Sequence, residues 1–510
     1  MDDVMRNHLF DLIRASLPAD PATRTFLETG DGARISYADM LDRSAAYASA
    51  LKALGVRTGD RVAVQVEKSA EVVFLYLGAV RAGAVFLPLN TAYTAPEIAY
   101  FLSDAEPALF VCDSARLAAL EPVAAEAKVS ALRTLDASGR GSMAEAADAA
   151  SADFADVARG PDDLAAILYT SGTTGRSKGA MLSHDNLASN AVTLVEAWRF
   201  TADDVLIHAL PVFHTHGLFV ATNVVLLAGA TAIFLPKFDP KQVLPLMARA
   251  TAMMGVPTFY TRLLREPGLT PEAVGKIRLF VSGSAPLLAE THRDWQARTG
   301  HAILERYGMT ETNMNTSNPH DGERIAGTVG MPLPGVSLRV VDPETGRALP
   351  ADAVGMIEVK GPNVFRGYWR MPEKTAAEFK ADGFFITGDL GKIDARGYVH
   401  IVGRGKDLII TGGYNVYPKE VENEIDALPG VVESAVIGLA HADFGEGVTA
   451  IVVARPDAPG EQEILRILEG RLARFKCPKR VLFADELPRN AMGKVQKNLL
   501  REAHAELYRR

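Results

Sequence analysis

The segment YTSGTTGRSKG, from Tyr169 to Gly179, groups three glycines, several hydroxyl residues and Lys178 directly after the apolar run LAAIL. Glycine-rich loops expose backbone N–H groups that bind phosphate oxygens, and a lysine supplies the counter-charge. The spacing differs from both the G-x-x-x-x-G-K-[ST] phosphate loop and the G-x-G-x-x-G dinucleotide motif. The segment therefore predicts a polyphosphate-binding loop of another kind, with a flexible surface linker as the alternative.

A second segment, AILERYGMTET, runs from Ala302 to Thr312 and places Arg306 between a short apolar strand and a glycine-containing turn. An arginine buried there without a partner is costly, by roughly several kcal/mol. Arg306 is therefore expected to meet an anion. That anion is either an internal carboxylate, such as Glu305 or Glu323, or a ligand.

The composition favours an enzyme of the cytoplasm. The 510 residues carry a net charge of −8, with none of the basic excess of a nucleic-acid-binding protein. Cys112 and Cys477 are too few and too far apart for a disulfide framework or a cysteine metal site. The N-terminus lacks the apolar region of a secretory signal. The uncharged stretch 218–235 is long enough to suggest a membrane-spanning helix. Gly229 divides it, however, so a buried helix followed by a strand is expected.

Apolar runs that alternate with helical patterns predict parallel βαβ units over most of residues 1–404. Examples are RVAVQV, AEVVFLYLGAVRAG and AVFLPLN. Beyond this region the pattern changes to hairpins and to the amphipathic helices EVENEIDAL and EQEILRILEGRLARF. We expect an α/β fold, with a large N-terminal body of parallel or mixed sheets (1–404) and a small mobile C-terminal α+β domain (405–510).

Six motifs in order resemble those of the adenylate-forming superfamily, which includes acyl-CoA synthetases, nonribosomal peptide adenylation domains and luciferases. The motifs are YTSGTTGRSKG, SGSAPL (282–287), YGMTE (307–311), TGDLG (387–391), GRGKDLIITGGYNVYPKEVE (403–422) and PRNAMGKVQK (488–497). The resemblance spans almost the whole chain. It implies that ATP, with Mg²⁺, activates a carboxylate as an acyl-adenylate, and that CoA then accepts the acyl group.

The resemblance also implies roles for individual residues. Lys494 would bridge the carboxylate and the α-phosphate, Glu311 would hold Mg²⁺, and Thr310 would contact a phosphate. Lys406 would be the hinge, with an ordinary solvated charge as the alternative, and Gly412 and Gly413 would line the CoA channel. The remaining nucleotide residues would be Thr170, Ser171, Gly172, Thr173, Thr174, Gly175, Lys178, Gly283, Ser284, Tyr307, Asp389 and Arg404.

The acyl pocket of this family borders the segment that precedes YGMTE, where Arg306 stands. Arg262, in VPTFYTRL, and His214 and His216, in HTHGL, belong to segments facing the same site, as does Ser284. Arginine binds carboxylates through paired, directed donors. The pocket resembles that of malonyl-CoA synthetases, which implies malonate as the acid. Three alternatives stay open. Arg262 could be a charge on a helix surface, one of the two histidines could be purely structural, and H-x-H could be a weak metal-binding motif.

The expected activity is therefore ATP-dependent ligation of malonate to CoA. There are three alternatives. The enzyme could use methylmalonate or another short acid, the chain could be a free-standing adenylation domain that loads a carrier protein, or it could be a non-catalytic nucleotide sensor. A single methyl group changes binding by only about 1–3 kcal/mol, so methylmalonate stays open. The resemblance further implies a protein acetyltransferase and a deacylase acting on Lys494. No nucleic-acid or membrane partner is expected.

Overall fold

The computed structural model describes residues 7–170, 177–411, 414–441, 443–472, 474–490 and 493–508. The strands of this part of the chain, in order, are β1 (Thr25–Thr29), β2 (Arg34–Ser36), β3 (Arg61–Gln65), β4 (Val85–Pro88), β5 (Leu109–Cys112), β6 (Ala131–Thr134), β7 (Leu164–Thr170), β8 (Lys178–Ser183), β9 (Val205–His208), β10 (Thr231–Phe234), β11 (Ala252–Gly255), β12 (Leu279–Ser282), β13 (Leu304–Met309), β14 (Asn313–Ser317), β15 (Met331–Pro332), β16 (Ser337–Val341), β17 (Gly355–Lys360), β18 (Phe385–Ile393), β19 (Val399–Arg404), β20 (Ile409–Thr411), β21 (Tyr414–Val416), β22 (Val431–His441), β23 (Gly445–Ala454) and β24 (Arg480–Phe483).

The helices connect these strands and cover the sheets. In order they are α1 (His8–Ala15), α2 (Tyr37–Ala53), α3 (Ala70–Arg81), α4 (Ala95–Ala105), α5 (Leu117–Glu126), α6 (Ser142–Asp148), α7 (His184–Ala197), α8 (Asn223–Ala228), α9 (Pro240–Leu246), α10 (Pro257–Leu263), α11 (Ala289–Thr299), α12 (Pro372–Glu378), α13 (Pro418–Asp426), α14 (Glu461–Glu469) and α15 (Lys497–Ala503). A π-helix, His216–Thr222, precedes α8, and two short 3-10 helices span Ser114–Arg116 and Gly405–Asp407.

Two large sheets form the N-terminal body. One has the strand order β6-β5-β3-β4-β7-β8 and is parallel except at β8. The other has the order β15-β14-β13-β12-β11-β9-β10-β1-β2, with parallel pairing from β13 to β1. One apolar cluster contains residues of both sheets and of α2, α3 and α7, so the two sheets share a core. The predicted α/β fold with parallel and mixed sheets is confirmed.

The rest of the chain consists of smaller antiparallel units. Strands β16 to β19 form a four-stranded sheet whose last hairpin, β18–β19, pairs Asp389 with Arg404. Strands β20 to β24 form a further sheet that packs with α13 and α14 around its own apolar cluster. A smaller C-terminal α+β unit was predicted and is confirmed, whereas the boundary at residue 404 stays a prediction.

Two local expectations need correction. The helix predicted over 461–475 ends at Glu469, because Gly470 follows and glycine is a poor helix former. Arg306 does not stand at the junction of a strand and a turn but inside β13. Gly308 and Met309 extend that strand by pairing with β14, although the register shifts between Tyr307 and Gly308.

Two other expectations are confirmed. Stretch 218–235 is a buried helical segment that ends at Gly229, followed by strand β10. Cys112 and Cys477 are both buried, and neither is joined in a disulfide. No helix in the described ranges has both the length and the apolar character needed to cross a membrane. The cytoplasmic location stays a prediction.

Candidate active site

Strand β13, the third of the nine strands of the second large sheet, holds Arg306. Its neighbours are β12, which is parallel to it, and β14, which places Ser317 opposite Arg306. The guanidinium lies on the backbone of Gly283, just after β12. A Cβ atom built on Gly283 would come within 2.4 Å of the Arg306 Cζ. Only glycine therefore leaves room for the arginine at this position.

Arg306 is a buried cation without an internal counter-charge in the part of the chain that the structure describes. Its side chain is 3% exposed, and its Nε and Nη2 groups have no hydrogen-bond partner. Burial lowers the pKa of Arg306 to about 9. Glu305 instead accepts a hydrogen bond from the Leu287 N–H (3.1 Å), and Glu323 pairs with Arg396 (3.0 Å). Neither suggested internal carboxylate meets Arg306, so of the two expected kinds of anion only a ligand remains as a prediction.

Two histidines and a serine surround this cation. His216 is fully buried, and its Nδ1 lies 3.2 Å from the Ser284 Oγ, while its Nε2 has no partner. His214 accepts a hydrogen bond at Nδ1 from the His216 backbone N–H (3.3 Å). Burial, and then the charge of Arg306, lower the pKa of both imidazoles, to about 4 for His214. Both rings are therefore neutral at physiological pH and can each donate or accept one hydrogen bond.

Ser284 has the left-handed backbone angle φ = +71°, which is uncommon for a residue with a side chain. Such local strain is characteristic of binding and catalytic sites. The conformation places Ser284 between His216 and the loop that begins at Gly283. It thereby connects the pocket around Arg306 to the loop predicted to contact the nucleotide.

Three residues predicted to bind the nucleoside lie together. The Tyr307 hydroxyl donates to one oxygen of Asp389 (2.5 Å), and the Arg404 Nε pairs with the other (2.7 Å). Adjacent strands β18 and β19 present Asp389 and Arg404 to each other. Burial and the Asp389 carboxylate raise the pKa of Tyr307 well above its ordinary value, so the phenol stays protonated.

A second cluster forms where Lys178 begins β8. The Lys178 ammonium lies 3.2 Å from the Glu378 carboxylate and 4.0 Å from the centre of the Tyr368 ring. The Tyr368 hydroxyl contacts Glu378 (2.6 Å) and the buried Glu311 (3.1 Å). Burial raises the pKa of Glu311. Thr310 occupies the half-buried turn immediately before it.

Lys494 reaches this site from the C-terminal part of the chain. Its neighbour Gly493 lies beside Thr258 of α10, and its charge acts on His214. The residue is exposed to solvent, while surrounding protein atoms partly desolvate its ammonium group. This desolvation, and then the charge of Arg404, lower the pKa of Lys494 to about 8. Lys406 is exposed in the 3-10 helix next to Arg404.

Arg262 is not brought into the pocket. Its side chain is exposed, and its guanidinium lies over the ring of Phe238 at 5.1 Å. The prediction that it binds the acid is therefore replaced by the helix-surface alternative. Thr170 ends β7. Seven predicted residues lie outside the described ranges: Ser171, Gly172, Thr173, Thr174, Gly175, Gly412 and Gly413.

Sequence reasoning missed Tyr368 and Glu378. Neither belongs to a quoted motif, and they join the site only because α12 and the segment before it pack over β8. A Tyr-Trp pair after a glycine was the available signal, but it does not by itself indicate a function. The described residues contain no group of three or more histidine, cysteine or acidic side chains that could hold a metal ion. The H-x-H pair therefore has no third ligand there.

The family of this chain follows from matches along most of its length. Residues 14–369 match the AMP-binding enzyme family and residues 420–494 match the AMP-binding enzyme C-terminal domain. The chain belongs to the AMP-binding enzymes, and it is an AMP-forming acid–thiol ligase by class. It is 36% identical over 482 residues to a malonate–CoA ligase of Arabidopsis thaliana, covering 88% of this chain and 79% of the relative.

Two solved forms of one relative match this chain to different degrees. ATP-bound MatB from Rhodopseudomonas palustris is 65% identical, with a TM-score of 0.96, and the match covers 99% of this chain and 100% of that one. Apo MatB from the same organism matches at the same identity and coverage with a TM-score of 0.85. The structure of this chain therefore superposes more closely on the ATP-bound relative than on the apo relative.

Proposed function

We propose that this protein ligates malonate to CoA, using ATP and passing through malonyl-adenylate, with release of pyrophosphate and then AMP. The observation that carries the choice of acid is the buried Arg306, whose Nε and Nη2 have no hydrogen-bond partner and whose charge acts on His216 beside Ser284. A guanidinium with two free donors suits a carboxylate, which can accept both. A monocarboxylic acid whose tail reached this point would leave the cation unpaired.

The two carboxylates of malonate then have separate functions. Arg306 binds the distal carboxylate and fixes the orientation of the acid. The proximal carboxylate is left to attack the α-phosphorus of ATP. Lys494 supplies positive charge where negative charge accumulates, and removing one such group commonly costs on the order of a hundredfold or more in rate. The charges of Arg404 and Asp389 act on the pKa of Lys494, which supports a position of the lysine near the nucleoside residues.

On the nucleotide side, Asp389 and Arg404 would bind the ribose and Tyr307 would stack on the adenine, with Gly283 and Ser284 beside it. Thr170, Lys178, Thr310 and the glycine-rich loop would hold the phosphates. Lys178 must then exchange its contact with Glu378 for a phosphate oxygen. The exchange keeps the lysine paired in both states.

Glu311 is the residue that fits Mg²⁺. It is a buried carboxylate that makes no ion pair in the described part of the chain, and hard oxygen ligands are those that Mg²⁺ prefers. A bound Mg²⁺ would neutralise charge on the phosphates during transfer. Glu311, with the Tyr368 hydroxyl beside it, would orient the ion.

For the second half-reaction, the C-terminal domain, with its boundary at residue 404, would turn about Lys406. Gly412 and Gly413 would then admit the pantetheine of CoA. We also propose that Lys494 is a target of a protein acetyltransferase and a deacylase in the cytoplasm. Acylation would remove the cation that adenylation needs, and the exposure of Lys494 to solvent supports access by a modifying enzyme.

A panel of acids tests the proposal. Pyrophosphate release is measured with malonate, methylmalonate, succinate, acetate and octanoate, and thioester formation with free CoA. Malonate should give the highest kcat/KM, with methylmalonate next. A preference for acetate or octanoate would refute the assignment of Arg306. Adenylation without transfer to free CoA would favour a domain that loads a carrier protein, and absence of pyrophosphate release with every acid would favour a nucleotide sensor.

A further inference from the structure

Lys68 is a buried lysine outside the site described above. It lies between β3 and α3, and its side chain is 6% exposed. Its ammonium group donates to the His208 carbonyl (2.7 Å), contacts the His208 Nδ1 (3.0 Å) and lies 4.1 Å from the centre of the Phe234 ring. No carboxylate forms an ion pair with it within the described residues. Because burying an ammonium without a counter-charge is costly, its position calls for an explanation.

His208 ends β9 and uses both of its ring nitrogens. Its Nε2 lies 2.9 Å from the Gly217 carbonyl oxygen and 3.2 Å from the Thr222 hydroxyl. A carbonyl only accepts hydrogen bonds, so Nε2 must carry the proton. Burial keeps the imidazole neutral by lowering its pKa. Its Nδ1 is therefore an acceptor, and Lys68 is the donor that selects this tautomer.

The carbonyl that His208 binds belongs to the π-helix His216–Thr222. The Gly217 carbonyl oxygen also accepts a hydrogen bond from the Thr222 hydroxyl (3.0 Å). The chain doubles back tightly here, because a Cβ atom on Gly217 would lie 1.9 Å from the Pro211 carbonyl oxygen. Single π-helical turns are often found at functional sites. Fixing the Gly217 carbonyl therefore fixes the residue before it, which is His216.

His216 is the neighbour of Ser284 in the pocket around Arg306. A continuous series of contacts thus runs from Lys68 through His208 and Gly217 to His216. Lys68 and His208 are 140 positions apart in the chain and do not touch the Ser284 hydroxyl themselves. The contacts on which their effect on the pocket depends are those that hold the π-helical turn in position.

We propose that Lys68 and His208 are positioning residues for the acyl pocket: Lys68 fixes the tautomer of His208, and His208 holds the π-helical turn that sets His216 against Ser284. The inference deepens the proposed function and rests on it for the identity of the acid. The role of Lys68 is indirect. It favours one position of the proton on His208, and His208 in turn holds the backbone of the π-helical turn. Outer partners that fix the tautomer of a histidine are an established way to orient a site.

The first test replaces Lys68 by methionine, which keeps the volume and removes the donor. Histidine tautomers are read by ¹⁵N NMR of the full-length protein labelled at histidine. In Lys68→Met, the His208 signals should move from those of the Nε2–H tautomer towards a mixture. KM for malonate should rise roughly tenfold or more, because displaced contacts weaken binding strongly, while KM for ATP changes less than about twofold.

A matched variant separates positioning from simple support of the core. In His208→Gln, the side-chain amide can donate to the Gly217 carbonyl and has no tautomer to select. The double variant Lys68→Met/His208→Gln should therefore have the same KM for malonate as His208→Gln alone. Such non-additivity is expected only if Lys68 acts through His208.

Several results would overturn the inference. These are an unchanged tautomer in Lys68→Met, a parallel rise of both KM values, or a double variant with a higher KM for malonate than His208→Gln alone. If Lys68→Met and the double variant both fail to fold by circular dichroism, Lys68 only supports the core and the inference is wrong. If another acid proves to be the substrate, KM is measured with that acid, and the NMR result stands independently of the proposed function.

Discussion

Replacing Arg306 by methionine should lower kcat/KM for malonate by roughly two to four orders of magnitude and leave KM for ATP nearly unchanged. The magnitude follows from the two nitrogens that lack protein partners. Each hydrogen bond between charged groups contributes about 1.5–3 kcal/mol, so two together contribute about 3–6 kcal/mol. Since about 1.4 kcal/mol corresponds to a factor of ten, the loss is at least a hundredfold.

The same substitution should stabilise the protein when malonate is absent. Arg306 is a buried cation that pairs with no described carboxylate, and taking a charge out of water costs roughly several kcal/mol, a cost that an apolar side chain avoids. The midpoint of thermal unfolding of the free protein should therefore rise. The additional stabilisation that saturating malonate gives the native protein should disappear, because it depends on binding to the folded state.

Both effects are measured on purified protein, by continuous pyrophosphate release and by thermal unfolding with and without malonate. Arg262→Met is the matched control, since it makes the same change at an exposed arginine that lies over Phe238. It should leave malonate kinetics within about twofold, as surface substitutions usually do. Unchanged malonate kinetics in Arg306→Met, or an equal loss with acetate, would refute the reasoning about the distal carboxylate.

Three further predictions concern the same centre. Gly283→Ala should reproduce much of the Arg306→Met defect in malonate kcat/KM, because the new Cβ would displace the guanidinium; normal malonate kinetics would contradict the packing of Arg306 on Gly283. The kcat/KM for adenylation should fall as pH rises through about 8, where Lys494 loses its proton, and this limb should shift to higher pH in Lys494→Arg; a profile unaltered in that variant would assign the limb to another group. Lys494→Ala should abolish pyrophosphate release from malonate and ATP but retain more of the thioester half-reaction, measured as malonyl-adenylate formation from malonyl-CoA and AMP; an equal loss of both would contradict a role confined to adenylation.

The sequence predicted the fold well because its signals are local. Apolar runs such as RVAVQV and the division of 218–235 at Gly229 depend on neighbouring residues, and the structure confirms the strand and the helix–strand division. The extent of α14 was wrong because one glycine outweighed an amphipathic pattern that continued past it. Arg306 was predicted to stand at a strand–turn junction. Pairing with β14 extends β13 past it, and this pairing cannot be predicted from the residues of β13 alone.

The candidate site was predictable where its residues lie in contiguous motifs. Tyr307, Asp389 and Arg404 were named from three motifs, and the structure places them in contact. Arg262 was misplaced because a short helix presents both inward and outward faces, and the motif does not say which face the arginine occupies. Lys68 and His208 were missed because no pattern connects a lysine after one strand to a histidine that ends another.

The close packing of Gly283 under Arg306 links the two positions in evolution. A side chain at position 283 would push the guanidinium out of its present place, so arginine at 306 can occupy this place only in a chain with glycine at 283. A change at either position would therefore disturb the same binding group. A lineage could leave this acid specificity by changing 283 as well as by losing the arginine.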